Sequence, residues 1–236
     1  MDYGWEDLSY HLKKSCCSFI DIMLNTVDIS PNAESQKLIT AECMERFKSI
    51  VEILSDIIKE AFYYTELDIE NNNTNSHKLN AWLLLGSVTE TTLQMFLAFY
   101  IEDYRETKWK QWEQFEIQQV QLPIIECIQK LVNEGNLNTS QAKSLKNAIK
   151  ETIKEHTKEH QIQKIMLDEL IQLYSSLELM DDDELFYLKC IQSNRNGIHS
   201  FQSREIGTWN DLQFCIRFFC YLLEWIIDRL PDIPDY

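Results

Sequence analysis

The residue types best suited to chemistry collect in one short stretch, Ser193-Asn194-Arg195-Asn196-Gly197-Ile198-His199-Ser200-Phe201, which interrupts a chain otherwise patterned for helices. A helical pattern beginning near Asp182 runs into Arg195 and Asn196, and Gly197 is the residue type that takes a positive φ and stops a helix. His199 follows just beyond that stop, near enough along the chain for its imidazole to turn back towards the guanidinium. A fixed cation beside a titratable imidazole suits phosphate chemistry, the first steadying negative charge and the second moving a proton. The same residues also suit a plain helix end, with Arg195 and Asn196 satisfying carbonyls at the negative end of the helix dipole and His199 an ordinary loop side chain. On the pocket reading both Arg195 and His199 lie outside the core, so alanine at either should leave the melting temperature nearly unchanged.

The stretch Arg195-Asn196-Gly197-Ile198-His199-Ser200-Phe201 resembles the signature of the HEPN superfamily, whose motif is Arg, a polar residue that is often Asn, and a His a few positions on. The resemblance covers residues 76–230 and implies an all-α, HEPN-like helical bundle, preceded here by an N-terminal helical extension. It also implies an acidic residue on an earlier helix facing the motif, for which Glu90 in Gly86-Ser87-Val88-Thr89-Glu90-Thr91-Thr92-Leu93 is the match. Many HEPN proteins are metal-independent endoribonucleases of toxin–antitoxin, antiviral and CRISPR-associated systems, and they pair so that two motifs form one composite site; others are catalytically silent. The resemblance thus makes Arg195, Asn196, His199 and Glu90 the candidate catalytic residues of a homodimeric hydrolase acting on RNA at a local basic cleft, with no cofactor and no metal. The alternative is a silent helical module that binds a nucleotide or a regulatory protein partner. Two departures stand out: the Arg-to-His spacing is shorter than the family's usual one, and Phe201 replaces the Tyr that partners of some HEPN toxins modify.

Elements able to position these residues must be helical. The chain of 236 residues has only five Gly and four Pro, little material for the turns of a β protein, while its 44% hydrophobic residues suffice for a sizeable core. The formal charge of −16 opposes nonspecific adhesion to nucleic acid or anionic membrane, so any RNA contact must be local, and partners with a basic surface are equally natural. Seven Cys form no paired CxxC framework, and their odd number leaves at least one thiol unpaired in a monomer, which points to reduced, core-packing cysteines. The N-terminal residues lack the basic and apolar regions of a signal peptide, and a cytoplasmic protein is expected.

Along the chain, apolar residues at helical spacing predict a first helix from Trp5 to about Thr26 and a second, opened by Ser30-Pro31, to about Tyr64. The Asn-rich segment 66–75 divides a helical region, 1–66, from the HEPN-like domain, 76–230, unless the two are one continuous domain. Ser76 is the expected cap of an almost wholly apolar helix over 77–105, in which Glu90 either faces water or meets a partner. Leu122-Pro123 opens a short helix closed by Gly135, and Thr139 or Ser140 caps the next. Thr208 caps a final apolar helix that Arg217 and Glu224 interrupt, too short in its uninterrupted run to span a bilayer.

Two further patterns carry weaker chemistry. Lys108-Trp109-Lys110-Gln111-Trp112 could stack bases beside phosphate contacts, but two Trp three positions apart also share a helix face for packing. His156-Thr157-Lys158-Glu159-His160 fits the His-x-x-Glu-His pattern of some zinc peptidases, yet its lysine-rich setting and lack of an evident third ligand favour a solvated helix.

Overall fold

The computed structural model describes residues 4–30, 32–66, 72–106, 108–156, 161–198 and 206–231, and of these all side chains except those of 62–66, 72–75, 105–106, 108–120, 153–156 and 198. Every regular element among them is helical, as the composition requires. In chain order the α-helices are α1 (Trp5–Ile29), α2 (Ala33–Leu38), α3 (Ala41–Glu66), α4 (Asn72–Phe99), α5 (Ile101–Glu106), α6 (Lys108–Asn133), α7 (Thr139–His156), α8 (Leu167–Ser176), α9 (Asp182–Arg195) and α10 (Trp209–Ile227). Short 3₁₀ turns occupy Ile162–Lys164 and Asn196–Ile198. They group into two compact units, one of Met1–Phe99 with Ile162–Tyr236 and one of Tyr100–Gln161.

In the first unit, Leu8, Leu12, Cys16, Phe19 and Met23 form a fully buried stripe on α1, spaced by three and four residues so that one helix face leaves water. Met44, Phe47, Val51, Leu54 and Ile58 make the answering stripe on α3, and Phe19 meets Phe47 with ring centroids 5.8 Å apart. Ser9 and Ser55 are the small residues at this crossing; their hydroxyls lie 2.8 Å apart and Ser9 donates to the Ser55 carbonyl at 2.9 Å, which satisfies both inside the core. On its other side α1 packs against α10, where Trp5 and Trp209 meet edge to face at 6.0 Å. The helices of 1–66 therefore share one core with α4 and α10. The compact unit runs straight across the boundary expected at 66–76, because the apolar faces on either side of that segment cover each other.

Several local expectations are corrected. The second helix is two: α2 ends at Leu38, Ile39 turns into the core, and Thr40 begins α3 by accepting from the Cys43 N–H. Asn32 caps α2 through the Glu34 N–H, and its amide also donates to the Ala98 and Phe99 carbonyls at 2.9 and 3.3 Å. A single side chain thus serves the start of α2 and the end of α4. Ser76 is no cap, since α4 starts at Asn72 and ends at Phe99. Thr208 does cap α10, in a reciprocal box with Asp211.

The second unit holds α5 and a hairpin of α6 and α7. Pro123 lies inside α6 rather than at the start of a shorter helix. Gly135, at φ +77°, is the stop: its N–H bonds the Val132 carbonyl and that of Asn136 bonds Leu131. Asn138, one residue earlier than expected, caps α7 in a reciprocal pair with Gln141 at 3.1 and 2.8 Å. The side chains of Trp109, Trp112, His156, Glu159 and His160 lie outside the described residues. No helix among the described residues is long and apolar enough to cross a membrane.

Candidate functional site

The site is built on the crossing of α4 and α9. Asp181 and Glu184 close a capping box at the start of α9 with two bonds of 2.8 Å, and the acids of the first turn and Arg195 in the last both oppose the helix dipole. Leu188 and Ile191 are fully buried, and Arg195 follows them at seven and four positions, so α9 delivers its guanidinium on the inward face. On α4 the facing residues are Trp82, Gly86, Glu90 and Gln94, each one turn after the last.

Gly86 makes the crossing possible. A methyl group there would come within 2.6 Å of Arg195 Cδ and 2.9 Å of its Cβ and Cγ, so the arginine stem lies directly on glycine backbone. One turn on, the guanidinium meets the carboxylate as a fork: Nη1 to Glu90 Oε2 at 2.7 Å and Nη2 to Oε1 at 3.3 Å. Glu90 Oε2 also accepts the Leu167 N–H at 2.8 Å, at the positive end of α8, and Gln94 donates to the Ile165 carbonyl at 2.9 Å. The side chains of Arg195 and Glu90 are only 22% and 16% exposed. Glu90 thus faces a partner rather than water, and Arg195 belongs to the packing of three helices rather than to a pocket outside the core. Alanine at 195 should therefore cost stability, contrary to the expectation from sequence.

Beyond Arg195 the chain tightens into the 3₁₀ turn Asn196–Ile198, with Asn196 at φ −74° and ψ −11°. Gly197 does not take the positive φ expected of it; among glycines of the described residues only Gly135 does. The helix ends through the shorter-range bonds of the turn. Asn196 is the half-buried C-cap, and His199 lies outside the described residues. The geometry therefore joins Glu90 to Arg195, across more than a hundred residues, and seats Asn196 next to them along the chain.

Sequence reasoning passed over Asn194. Its Oδ1 accepts the Gly207 N–H and its amide donates to the Cys190 carbonyl at 2.9 Å, which fastens the chain at Gly207 onto α9. Gly207 has the room for this only as glycine, because a Cβ there would meet Asn194 Oδ1 at 2.9 Å and Trp82 at 3.1 Å. The available signal was the four-residue recurrence Trp82, Gly86, Glu90, Gln94, in which a small and two polar residues interrupt an apolar helix on one line.

Beside Asn194, the Cys190 thiol is lowered to about 7, foremost by a hydrogen bond with Cys215 and also by one from Asn194, against burial and Asp211, which raise it. The Cys215 thiol is raised by the same pairing and by burial. Glu90 occupies two of the five guanidinium N–H donors, and among the described residues no other acceptor holds the remaining three. The arrangement is an oriented guanidinium at a helix end, on the residue that opens the Arg195-Asn196-Gly197-Ile198-His199 stretch. No family model matches the sequence, and comparison with curated proteins and with solved structures likewise finds no match.

Proposed function

We propose that this chain is a HEPN-like, metal-independent RNA endonuclease that acts as a cytoplasmic homodimer in a toxin–antitoxin or antiviral role. The observation that carries the reading is the forked bond by which Glu90 orients Arg195 at the C-terminal end of α9. In the reaction the RNA 2′-hydroxyl attacks the adjacent phosphorus, the bond from phosphorus to the 5′-oxygen breaks, and the products are a 2′,3′-cyclic phosphate and a 5′-hydroxyl. His199 takes or supplies the proton, the N–H groups of Arg195 not held by Glu90 steady the phosphorane oxygens, and Asn196 orients the pair. A paired chain contributes a second set of the same groups, so that two guanidinium groups and two imidazoles line one composite cleft on a protein of net charge −16.

The test is incubation of purified protein with mixed single-stranded RNA in EDTA. Cleavage leaving cyclic phosphate ends, abolished by His199→Ala, is expected; cleavage that needs a divalent ion, or no cleavage at high enzyme concentration, overturns the proposal. A second reading, a catalytically silent helical module, is favoured by a different detail: Glu90 Oε2 binds Leu167 as well as Arg195, so the pair also clamps α4, α8 and α9. On that reading Arg195→Ala loosens the fold and His199→Ala has no effect on RNA.

A further inference from the structure

At the opposite end of α9 from Arg195, about 20 Å away at 1.5 Å per helical residue, a groove of about 440 Å³ opens between the start of α9 and the flank of α10. Its floor is aromatic. Tyr187 stacks on Phe218 with centroids 5.2 Å apart, Phe218 meets Tyr221 at 6.2 Å, and Phe186 extends the row edge to face with Tyr187 at 5.6 Å. Of the aromatics lining the groove, Tyr221 is 47% exposed and Phe214 44%, and Phe186, outside the lining, stands 65% exposed beside Tyr187. Neighbouring exposed aromatics on one face are the composition of recognition surfaces, since each offers large contact area for little lost side-chain freedom.

The rim is acidic. Asp181, Asp183 and Glu184 line the groove, against the single guanidinium of Arg217, which lies over the Phe214 ring at 5.7 Å. Glu184 is fixed from both sides, accepting the Asp181 N–H through Oε2 and the Tyr221 hydroxyl through Oε1 at 2.7 Å, so the rim and the aromatic floor form one built surface. Asp183 stands exposed beside them.

We propose that this groove binds a basic peptide segment of a partner protein, with a Lys or Arg side chain between the rim carboxylates and the aromatic faces and a neighbouring apolar side chain over Phe214. The chemistry follows from charge and shape together: carboxylates pair with the cation, aromatic faces attract it through their quadrupoles, and the row extends beyond the footprint of a small cation. A second copy of this chain, with net charge −16, is the poorer complement to an acidic rim.

The test is selection of a displayed library of random peptides of about twelve residues on the purified full-length chain, followed by fluorescence anisotropy of the selected peptide labelled with fluorescein. A consensus holding Lys or Arg beside an apolar residue is expected, with affinity falling as salt rises and falling about tenfold in each of Phe214→Ala and Asp183→Lys, as removal of a hot-spot contact does. Both positions are exposed, and circular dichroism checks that the helices persist; Asp183→Asn should give a smaller loss in the same direction. Failure to select any peptide, a consensus without basic residues, binding indifferent to all three substitutions, or an aromatic patch that instead mediates self-association each overturns the proposal. These outcomes are independent of RNA cleavage, which is read at the other end of α9.

Discussion

The forked bond between Arg195 and Glu90 permits a quantitative test through a double-mutant cycle. An exposed ion pair contributes about 0–1 kcal/mol, whereas breaking a buried one by removing one partner costs about 3–5 kcal/mol. With side chains 22% and 16% exposed and two bonds at 2.7 and 3.3 Å, this pair falls between those limits. Glu90→Ala also strips the acceptor from the Leu167 N–H, a further loss of about 1 kcal/mol. Together these give about 3 kcal/mol for Glu90→Ala, or about 6–12 °C in melting temperature for a chain of this length. Glu90→Gln retains an acceptor and should cost about 2 kcal/mol; Arg195→Met, which keeps the stem on Gly86, should cost a similar amount. If the pair acts as a unit, the double variant Glu90→Gln with Arg195→Met is less damaged than the two single losses added, by about 1–2 kcal/mol. The assay is urea unfolding followed by far-ultraviolet circular dichroism, comparing midpoints at equal slope. Strict additivity, or a Glu90→Ala variant melting within about 2 °C of the parent, would refute the claim that this pair ties three helices.

Two other outcomes follow from the same region. Gly86→Ala forces new carbon against Arg195 atoms that include its Cβ, so α4 and α9 must part; a loss of about 1–3 kcal/mol is expected, reduced when Arg195 is already Ala, and an unchanged unfolding midpoint would count against the close crossing. Cys190 and Cys43 are both half-buried, but the first thiol is lowered to about 7 and the second raised by burial. Because the thiolate is the nucleophile, iodoacetamide at pH 7 should modify Cys190 ahead of Cys43, with the Cys190 rate levelling off above about pH 8 while that of Cys43 still climbs; peptide mass spectrometry reads the order, and the reverse order would contradict the pairing of Cys190 with Cys215.

What the sequence made legible was local. The boxes Asp181/Glu184 and Thr208/Asp211 begin their helices through side chains three residues apart, a signal contained within one turn. The buried stripe of α1 was readable from its period for the same reason. The break between α2 and α3 was not, because Ile39 and Phe47 continue a helical spacing while Ile39 turns into the core and Thr40 starts α3 afresh, which only the tertiary packing shows. Pro123 misled in the opposite sense: proline favours a helix start but does not forbid a helix interior where packing holds it. At the site, Glu90 stood out as a carboxylate on an apolar helix, while Gly86 did not, since its role is to be absent where the Arg195 stem passes. Gly197, the more conspicuous glycine, proved an ordinary member of a 3₁₀ turn.

The geometry of the pair also constrains any phosphate chemistry at Arg195. A guanidinium bound by fork to a carboxylate supplies direction rather than net charge, because the positive charge is largely matched by Glu90 at 2.7 Å. A phosphorane carries additional negative charge, and on a chain of net charge −16 the surrounding field does not provide the missing cation. An endonuclease built on this motif therefore needs His199 in its protonated form at the scissile phosphate, supplied either by the same chain as Arg195 or by a paired chain. The first makes cleavage proceed in dilute monomer. The second makes the rate fall with the square of dilution once pairing is lost, and makes an equal mixture of Arg195→Ala and His199→Ala chains more active than either alone, because a mixed pair still holds one Arg195 and one His199. Complementation in that mixture would locate the cleft between two chains, and its absence alongside an active parent would assign the whole reaction to one.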